Sequence, residues 1–333
     1  MSEIINLACG YGGKDSRDLI ENTILPILGG ADINGNDATV FEVSSKFMAI
    51  STDSFVIYPL FFKGGDIGKL AVAGSVNDIL ARGALPKYLT CSFIIEEGFS
   101  LSNFKAILSS MREEADENFC SIITGDTKVV RKGECDGLFI NTTALGFLEH
   151  NVDIQPSKIQ EGDIVIISGT LGDHECSVML SREDFSVSAN IISDCGGLRS
   201  LLEPVLKGNF NIKAMRDPTR GGLAATLNEM VLESCKTITI YEDKIPVKDE
   251  VKGFCQITGM NYLSMANEGK MIIVIGKEHA MNVLNLLKSH EKGKNAQIIG
   301  EVSSCEQNHL IMETLITKKI VPMPYFNQLP RIC

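Results

Sequence analysis

Strand-like and helix-like runs alternate irregularly along this chain, without a repeated βαβ period, and that pattern constrains its fold more than any other feature. Helical spacing runs from Ser16 to Ile27, stopping at Gly29-Gly30, then over Asp66–Arg82 up to Gly83, and over Leu101–Glu117. β-rich runs lie at Thr39–Val43, Phe47–Thr52, Tyr88–Ile95, Ser121–Thr124 and Leu138–Leu148. The polar stretch Asn151–Gly162, with Pro156 inside it, then breaks the series. Beyond it the patterning predicts strands at Ile164–Ser168, Thr237–Tyr241, Met271–Ile275 and Gln297–Val302, and helices at Gly197–Leu206, Gly221–Ser234 and Ala280–His290. A chain of 333 residues is too long for one ordinary core. The expectation is two α+β (mixed α/β) domains, 1–155 and 156–318, followed by a tail, 319–333. Pro322, Pro324 and Pro330 remove backbone donors from that tail and favour an extended, semi-rigid arm. The arm ends in the thiol of Cys333, which it could carry between sites.

Hydrophobic residues make up 44% and charged residues 22%, the balance of a soluble globular protein. A net charge of −11 argues against nonspecific nucleic-acid binding, which needs a basic surface. No run approaches the ~20 apolar residues that span a bilayer. Residues Met1–Gly13 lack a basic region followed by an apolar one, so no signal peptide is expected there, and the predicted location is the cytoplasm. The ten cysteines are scattered, with no C-x-x-C pair, which makes a zinc ribbon or thioredoxin-type motif a poor reading.

The common nucleotide motifs fail. Gly64-Gly-Asp-Ile-Gly-Lys69 has one residue too few for a P-loop and Leu70 where Ser or Thr is required. The loop with Gly10, Gly12 and Gly13 lacks the third glycine of a dinucleotide fingerprint. It could still lay backbone N–H groups and Lys14 against phosphate, although a flexible turn is the plainer reading. What remains is a set of aspartates at the predicted ends of elements: Asp53, Asp78, Asp126 and Asp217. Clustered carboxylates suit Mg2+, yet each alone is an ordinary cap or turn residue. Lys128 after Gly125-Asp126-Thr127 could contact phosphate or carry a proton. Glu268 in Ala266-Asn-Glu-Gly-Lys270 could serve as a base, and both are unremarkable in isolation. His174, in Gly172-Asp-His174, reads first as a packing residue, as does Cys9 beside the glycine loop.

Taken together the motifs resemble the HypE family of hydrogenase maturation proteins, in order and over nearly the whole chain. The resemblance is carried by Ser51-Thr-Asp-Ser-Phe55, Gly64–Leu70, Asn77-Asp78, Ile123-Thr-Gly-Asp-Thr-Lys128, Phe139–Thr142, Ser168–His174, Arg216-Asp-Pro-Thr-Arg-Gly-Gly222, Asn267–Lys270 and above all Pro330-Arg-Ile-Cys333. It implies a two-domain aminoimidazole ribonucleotide synthetase-like (PurM-like) fold, shared with selenophosphate synthetase, and a homodimer holding ATP near its interface. Within that resemblance, Asp53, Asp78, Asp126 and Asp217 hold Mg2+. Asp53, Lys69, Asn77, Asp78, Gly125, Asp126, Thr127, Gly12 and Gly13 contact the nucleotide, while Lys128 and Glu268 handle protons. Cys333 carries a carboxamide to be dehydrated to a thiocyanate, loaded by a HypF-type carbamoyltransferase and passed to a HypC–HypD iron scaffold for nickel–iron hydrogenase. One departure is Cys9, where relatives often have histidine. Two other readings use the same residues: a small-molecule synthetase of the same superfamily that does not need Cys333, and a noncatalytic scaffold presenting that cysteine.

Overall fold

The computed structural model describes residues 4–10, 18–29, 45–148, 154–182, 189–303, 308–324 and 331–333. Gly12, Gly13, Lys14 and the expected strand Thr39–Val43 lie outside the described residues.

The first sheet contains β1 (Phe47–Phe55), β2 (Leu85–Glu96), β3 (Ser121–Val130) and β4 (Leu138–Leu148), in the order β1-β4-β2-β3. β2 and β3 are parallel and are joined across one face by helix Leu101–Glu117, while the other two pairings are antiparallel. Helix Ile67–Ala81 lies on the same face. Thirteen of its fifteen residues are buried, which its nearly all-round apolar and small sequence requires. Asp66 caps it by accepting from the backbone N–H groups of Gly68 (2.7 Å) and Lys69 (3.0 Å). Gly74 brings the helix against β1, since a Cβ there would stand 2.9 Å from the Phe55 ring. The opposite face of the sheet is uncovered in the single chain, and Met48, Ile50 and Ile94 are 47%, 64% and 42% exposed on it.

The second sheet contains β5 (Ile164–Ile167), β6 (Ile212–Arg216), β7 (Thr237–Tyr241), β8 (Ile272–Ile275), β9 (Gln297–Ser303), β10 (Leu310–Glu313) and β11 (Lys318–Ile320). Its order is β11-β10-β7-β9-β5-β8-β6, antiparallel except for β7 and β10. The central strands β5 and β8 are buried on both faces, as their unbroken Ile-Val-Ile-Ile and Ile-Ile-Val-Ile sequences demand. One face packs Val165, Ile167, Ile272 and Val274 under helix Gly222–Ser234. On the other, Ile164, Ile166, Met215 and Ile273 join a core that continues into the first half through Ile79 and Leu80. The two sheets therefore share one hydrophobic interior, with helix Ile67–Ala81 running between them. Among the described residues no helix is long and apolar enough to cross a membrane.

Candidate active site

Four carboxylates from distant parts of the sequence meet where the two halves join. Asp53 is in β1 and Asp78 in the last turn of helix Ile67–Ala81; Asp217 follows β6, and Glu268 precedes β8. With Thr52, Thr219, Arg220 and Cys333 they line a cavity of about 200 Å³. A second cavity of about 370 Å³ adjoins it and shares Asp78 and Asp217.

Burial and mutual repulsion dominate the electrostatics. Burial, then the neighbouring Asp78, pushes the Asp217 carboxyl up to about 7, with a smaller contribution from Asp53. Asp78 is raised by burial and by Asp53, against the Ser51 hydroxyl that donates to its Oδ2 at 2.7 Å and the opposing charge of Arg220. Glu268 is 2% exposed and lies well above the usual carboxylate range, first through burial and then through Asp217, Asp194, Asp53 and Asp78. Among the described residues its Oε1 has no hydrogen-bond partner. Such a set is short of positive charge, and Arg220 alone does not balance it. A divalent cation brought with a phosphate chain fits this deficit. Among the described residues no three metal-ligating side chains converge closely enough to hold an ion by themselves.

The tail delivers Cys333 into this cavity. Its last residues pair with the chain just after β1: Val56 N–H donates to Cys333 O (3.3 Å), Tyr58 N–H to Arg331 O (3.1 Å), and Arg331 Nε–H to Val56 O (2.7 Å). Arg331 also forms an ion pair with Asp136 and lies over the rings of Tyr58 and Phe139. Burial, reinforced by Glu268, holds the docked thiol in its protonated form.

The remaining sequence candidates are placed elsewhere or differently. Asp53 lies within β1 rather than at its exit, because the strand continues to Phe55. β3 likewise runs through Gly125, Asp126, Thr127 and Lys128 to Val130 instead of stopping at Thr124. The register Ser54–Asn141–Ser92–Asp126 puts Asp126 three strands from β1, roughly 14 Å at ~4.8 Å per strand. Asp126 and Lys128 pair with each other at 2.6 Å on the uncovered sheet face, both more than half exposed, and Lys128 holds the Asp126 carboxyl below its usual range. Neither lines the carboxylate cavity of its own chain. Lys69 stands at the opposite end of its helix from Asp78, donating to Gly64 O at 3.4 Å. Asn77 is buried and its amide is fully engaged: Nδ2 donates to the Gly196 and Glu268 carbonyls (3.3 and 3.4 Å), and Oδ1 accepts from Leu198 N–H (2.9 Å). It ties the two halves together behind Glu268. Thr219 and Arg220 were not singled out from the sequence; their signal was adjacency to Asp217-Pro218.

This architecture matches known proteins along its length. Residues 35–148 match the family model of the AIR synthase related protein N-terminal domain, and residues 160–313 that of the C-terminal domain. The carbamoyl dehydratase HypE of Bradyrhizobium diazoefficiens is 42% identical, covering 99% of this chain and 96% of its own. A crystal structure of the hydrogenase maturation protein HypE in complex with ATP superposes with a TM-score of 0.94 at 37% identity, covering 98% of this chain and 99% of its own. A HypE–HypF complex gives a TM-score of 0.81 at 46% identity over 83% of this chain and 90% of its own. With its fold, its domains and its full length all matched, the chain belongs to the HypE family of carbamoyl dehydratases.

Proposed function

We propose that this protein uses ATP to dehydrate a carboxamide carried on the sulfur of its own Cys333, leaving a thiocyanate as the source of a cyanide ligand for a nickel–iron hydrogenase. The observation that carries this reading is the meeting of the tail cysteine and four carboxylates in one cavity. A primary amide does not lose water readily, because its oxygen is a poor leaving group. Transfer of the γ-phosphoryl group to that oxygen, with release of ADP and loss of one N–H proton, gives an O-phosphorylated imidate whose oxygen can leave as phosphate. Removal of the remaining amide proton then expels phosphate and forms the C≡N bond.

Asp53, Asp78 and Asp217 are the carboxylates of which one or two would hold Mg2+, the ion that would offset charge on the transferring phosphoryl group. Arg220 supplies fixed positive charge at the same cavity. Glu268, with its free Oε1 and raised proton affinity, is suited to take the amide proton once the nucleotide's cation relieves the crowding of carboxylates. The protonated, docked thiol is a weak nucleophile, so this seat suits carrying a group rather than acquiring one. Loading therefore falls to a separate HypF-type carbamoyltransferase with the tail undocked. Delivery goes to a HypC–HypD iron scaffold, all in the cytoplasm.

A homodimer completes the site. The uncovered sheet face carries exposed Met48, Ile50 and Ile94 in the same plane as Asp126 and Lys128. Pairing two such faces covers the apolar residues and brings one subunit's Lys128 and Asp126 towards the other's nucleotide. An exposed ion pair of this kind is worth only ~0–1 kcal/mol, so Lys128 can exchange Asp126 for phosphate at little cost.

Intact-mass spectrometry of carbamoylated protein tests the reading. Mg-ATP is expected to remove the mass of one water from the wild type, whereas Glu268→Gln retains the carbamoylated mass ~100–10,000-fold longer. An unchanged wild-type mass, with ATP bound, would refute the reaction.

A further inference from the structure

His174 is wholly buried, and none of the chemistry above uses it. It is the second residue of helix Asp173–Leu180, and its ring meets the Phe62 ring edge-on at 5.3 Å. Both ring nitrogens are engaged, Nδ1 with Ser193 Oγ and Nε2 with the Ile332 carbonyl oxygen, each at 2.9 Å. The partners determine where the protons are. A carbonyl oxygen only accepts, so Nε2 bears the hydrogen. Burial favours the uncharged ring, which leaves Nδ1 as an acceptor. Ser193 must then donate its hydroxyl proton to Nδ1, and its oxygen is free to accept from Cys195 N–H, which lies 3.0 Å away. One directed chain results, from Cys195 N–H through Ser193 and His174 to the backbone of Ile332.

We propose that His174 is a positioning residue for the dehydration, a latch whose Nε2–H holds the tail one residue before Cys333 and so fixes the carried group against the carboxylate cavity. This rests on the reaction assigned above, and it extends that assignment to how the tail is seated. The other tail contacts hold Arg331 and the backbone along Val56–Tyr58, and Arg182 Nη2 donates to Arg331 O at 2.8 Å. His174 reaches Ile332 itself, from the second half of the chain and with a side chain. The segment that orients it also fixes the proposed base. Gly196 N–H donates to Glu268 O (3.3 Å), and Gly269 N–H and Lys270 Nζ both donate to Asp194 Oδ2 (3.0 and 3.3 Å). Residues Ser193–Gly196 thus set the position of the tail and of Glu268 together, so a seated tail meets a correctly placed base.

The test uses the full chain in two measurements. The first is single-turnover dehydration of Cys333-carbamoylated protein at saturating Mg-ATP. The second is the rate at which iodoacetamide labels unmodified Cys333, read by peptide mass spectrometry. His174→Phe keeps a ring and removes the donor, whereas His174→Gln places an amide N–H near the position of Nε2. For His174→Phe the dehydration rate is expected to fall about tenfold or more and Cys333 labelling to rise about tenfold, with ATP affinity unchanged. His174→Gln should return both rates most of the way to wild type. A merely structural role moves ATP affinity along with turnover and gives no rescue by glutamine. Should His174→Phe prove unfolded by circular dichroism, His174→Gln and Ser193→Ala carry the test: the former near wild type, the latter with faster labelling and slower dehydration. Unchanged labelling in the folded donor-less variant, or in Ser193→Ala, overturns the latch. Failure of wild-type protein to lose water would instead overturn the reaction, since the labelling measurement does not depend on it.

Discussion

At the scale of single residues, the site is built from carboxylates that destabilise one another. Asp217 shows this most clearly, its carboxyl being pushed up to about 7 from the usual value of about 4. Between those values the folded protein keeps a proton that the unfolded chain has released. Stability must therefore fall as pH rises through the window, with the full loss present above about 7. Asp78 and Glu268, both raised, add to the same trend. Thermal melts of nucleotide-free protein should show the midpoint dropping by several degrees between about pH 5 and about pH 8, at ~2–4 °C per kcal/mol for domains of this size. Asp217→Asn should flatten the slope, as should added Mg-ATP. A wild-type slope in Asp217→Asn would mean that the carboxylates do not repel as argued. Read physically, the sequence offered Asp53, Asp78 and Asp217 as possible Mg2+ carboxylates, Glu268 as a possible base and Cys333 as a thiol on a stiff arm, with a turn, a cap or a frayed end as the plainer reading of each, and the resemblance to a family decided between them. The residues alone could not, because 280 residues separate the first from the last and nothing local records that they meet. His174 was noticed for its glycine-flanked motif and assigned to packing. Its acceptor is a backbone carbonyl of the tail, which no side-chain pattern can reveal.

At the scale of elements, close approach decides where the site's residues stand. Helix Ile67–Ala81 carries Asp78, and Gly68 lets it lie against the backbone of helix Leu101–Glu117, where an added Cβ would collide with the Ile107 carbonyl oxygen. In an exposed helix, replacing glycine by alanine stabilises by up to ~1 kcal/mol. Here the overpacking, which typically costs ~1–3 kcal/mol, should win. Urea denaturation of Gly68→Ala is expected to show net destabilisation of roughly 1–2 kcal/mol, and net stabilisation would show that the two helices are not so tightly apposed. Helix Leu101–Glu117 and strand Leu138–Leu148 were legible to the residue, because a single buried face gives each a clean period. The ends of β1 and β3 were not. Asp53–Ser54 and Gly125–Lys128 fell outside the expected strands because they are polar or small, yet both continue a sheet whose outer face carries polar side chains. Gly125 passes so close to the Cys91 carbonyl that a side chain there would clash, so a residue taken as a turn signal is a packing requirement within a strand. Strand Ile212–Arg216 and helix Asp173–Leu180 gave no period strong enough to announce them, whereas helix Asp249–Thr258 buries Val251, Phe254 and Cys255 on one face, an i, i+3, i+4 signal that was passed over.

At the scale of the whole molecule, the single chain holds part of its proposed machinery on the wrong side of a sheet. Asp53 and Asp126 sit at opposite edges of the first sheet, and no movement of side chains closes three strand spacings. The apolar residues left uncovered between those edges supply the reason for a second copy: at ~25 cal/mol per Å2, covering Met48, Ile50, Ile94 and their neighbours is a substantial driving force. In the proposed homodimer a two-fold arrangement is self-complementary, so one surface would satisfy both subunits and each would lend the other its Lys128. Ile50→Glu places a charge in the middle of that face, and pairing two copies would then bury two like charges against each other. Light scattering coupled to size exclusion should find the wild type as a dimer and Ile50→Glu as a folded monomer. The monomer should dock its tail normally, with Cys333 no more open to alkylation, because the tail's contacts lie within one chain. Its ATP-dependent dehydration should nevertheless fall by about 100-fold or more, the loss that follows when a charged group leaves a phosphoryl-transfer site. Full turnover by the monomer would show that one chain suffices and that Lys128 has no part in the reaction.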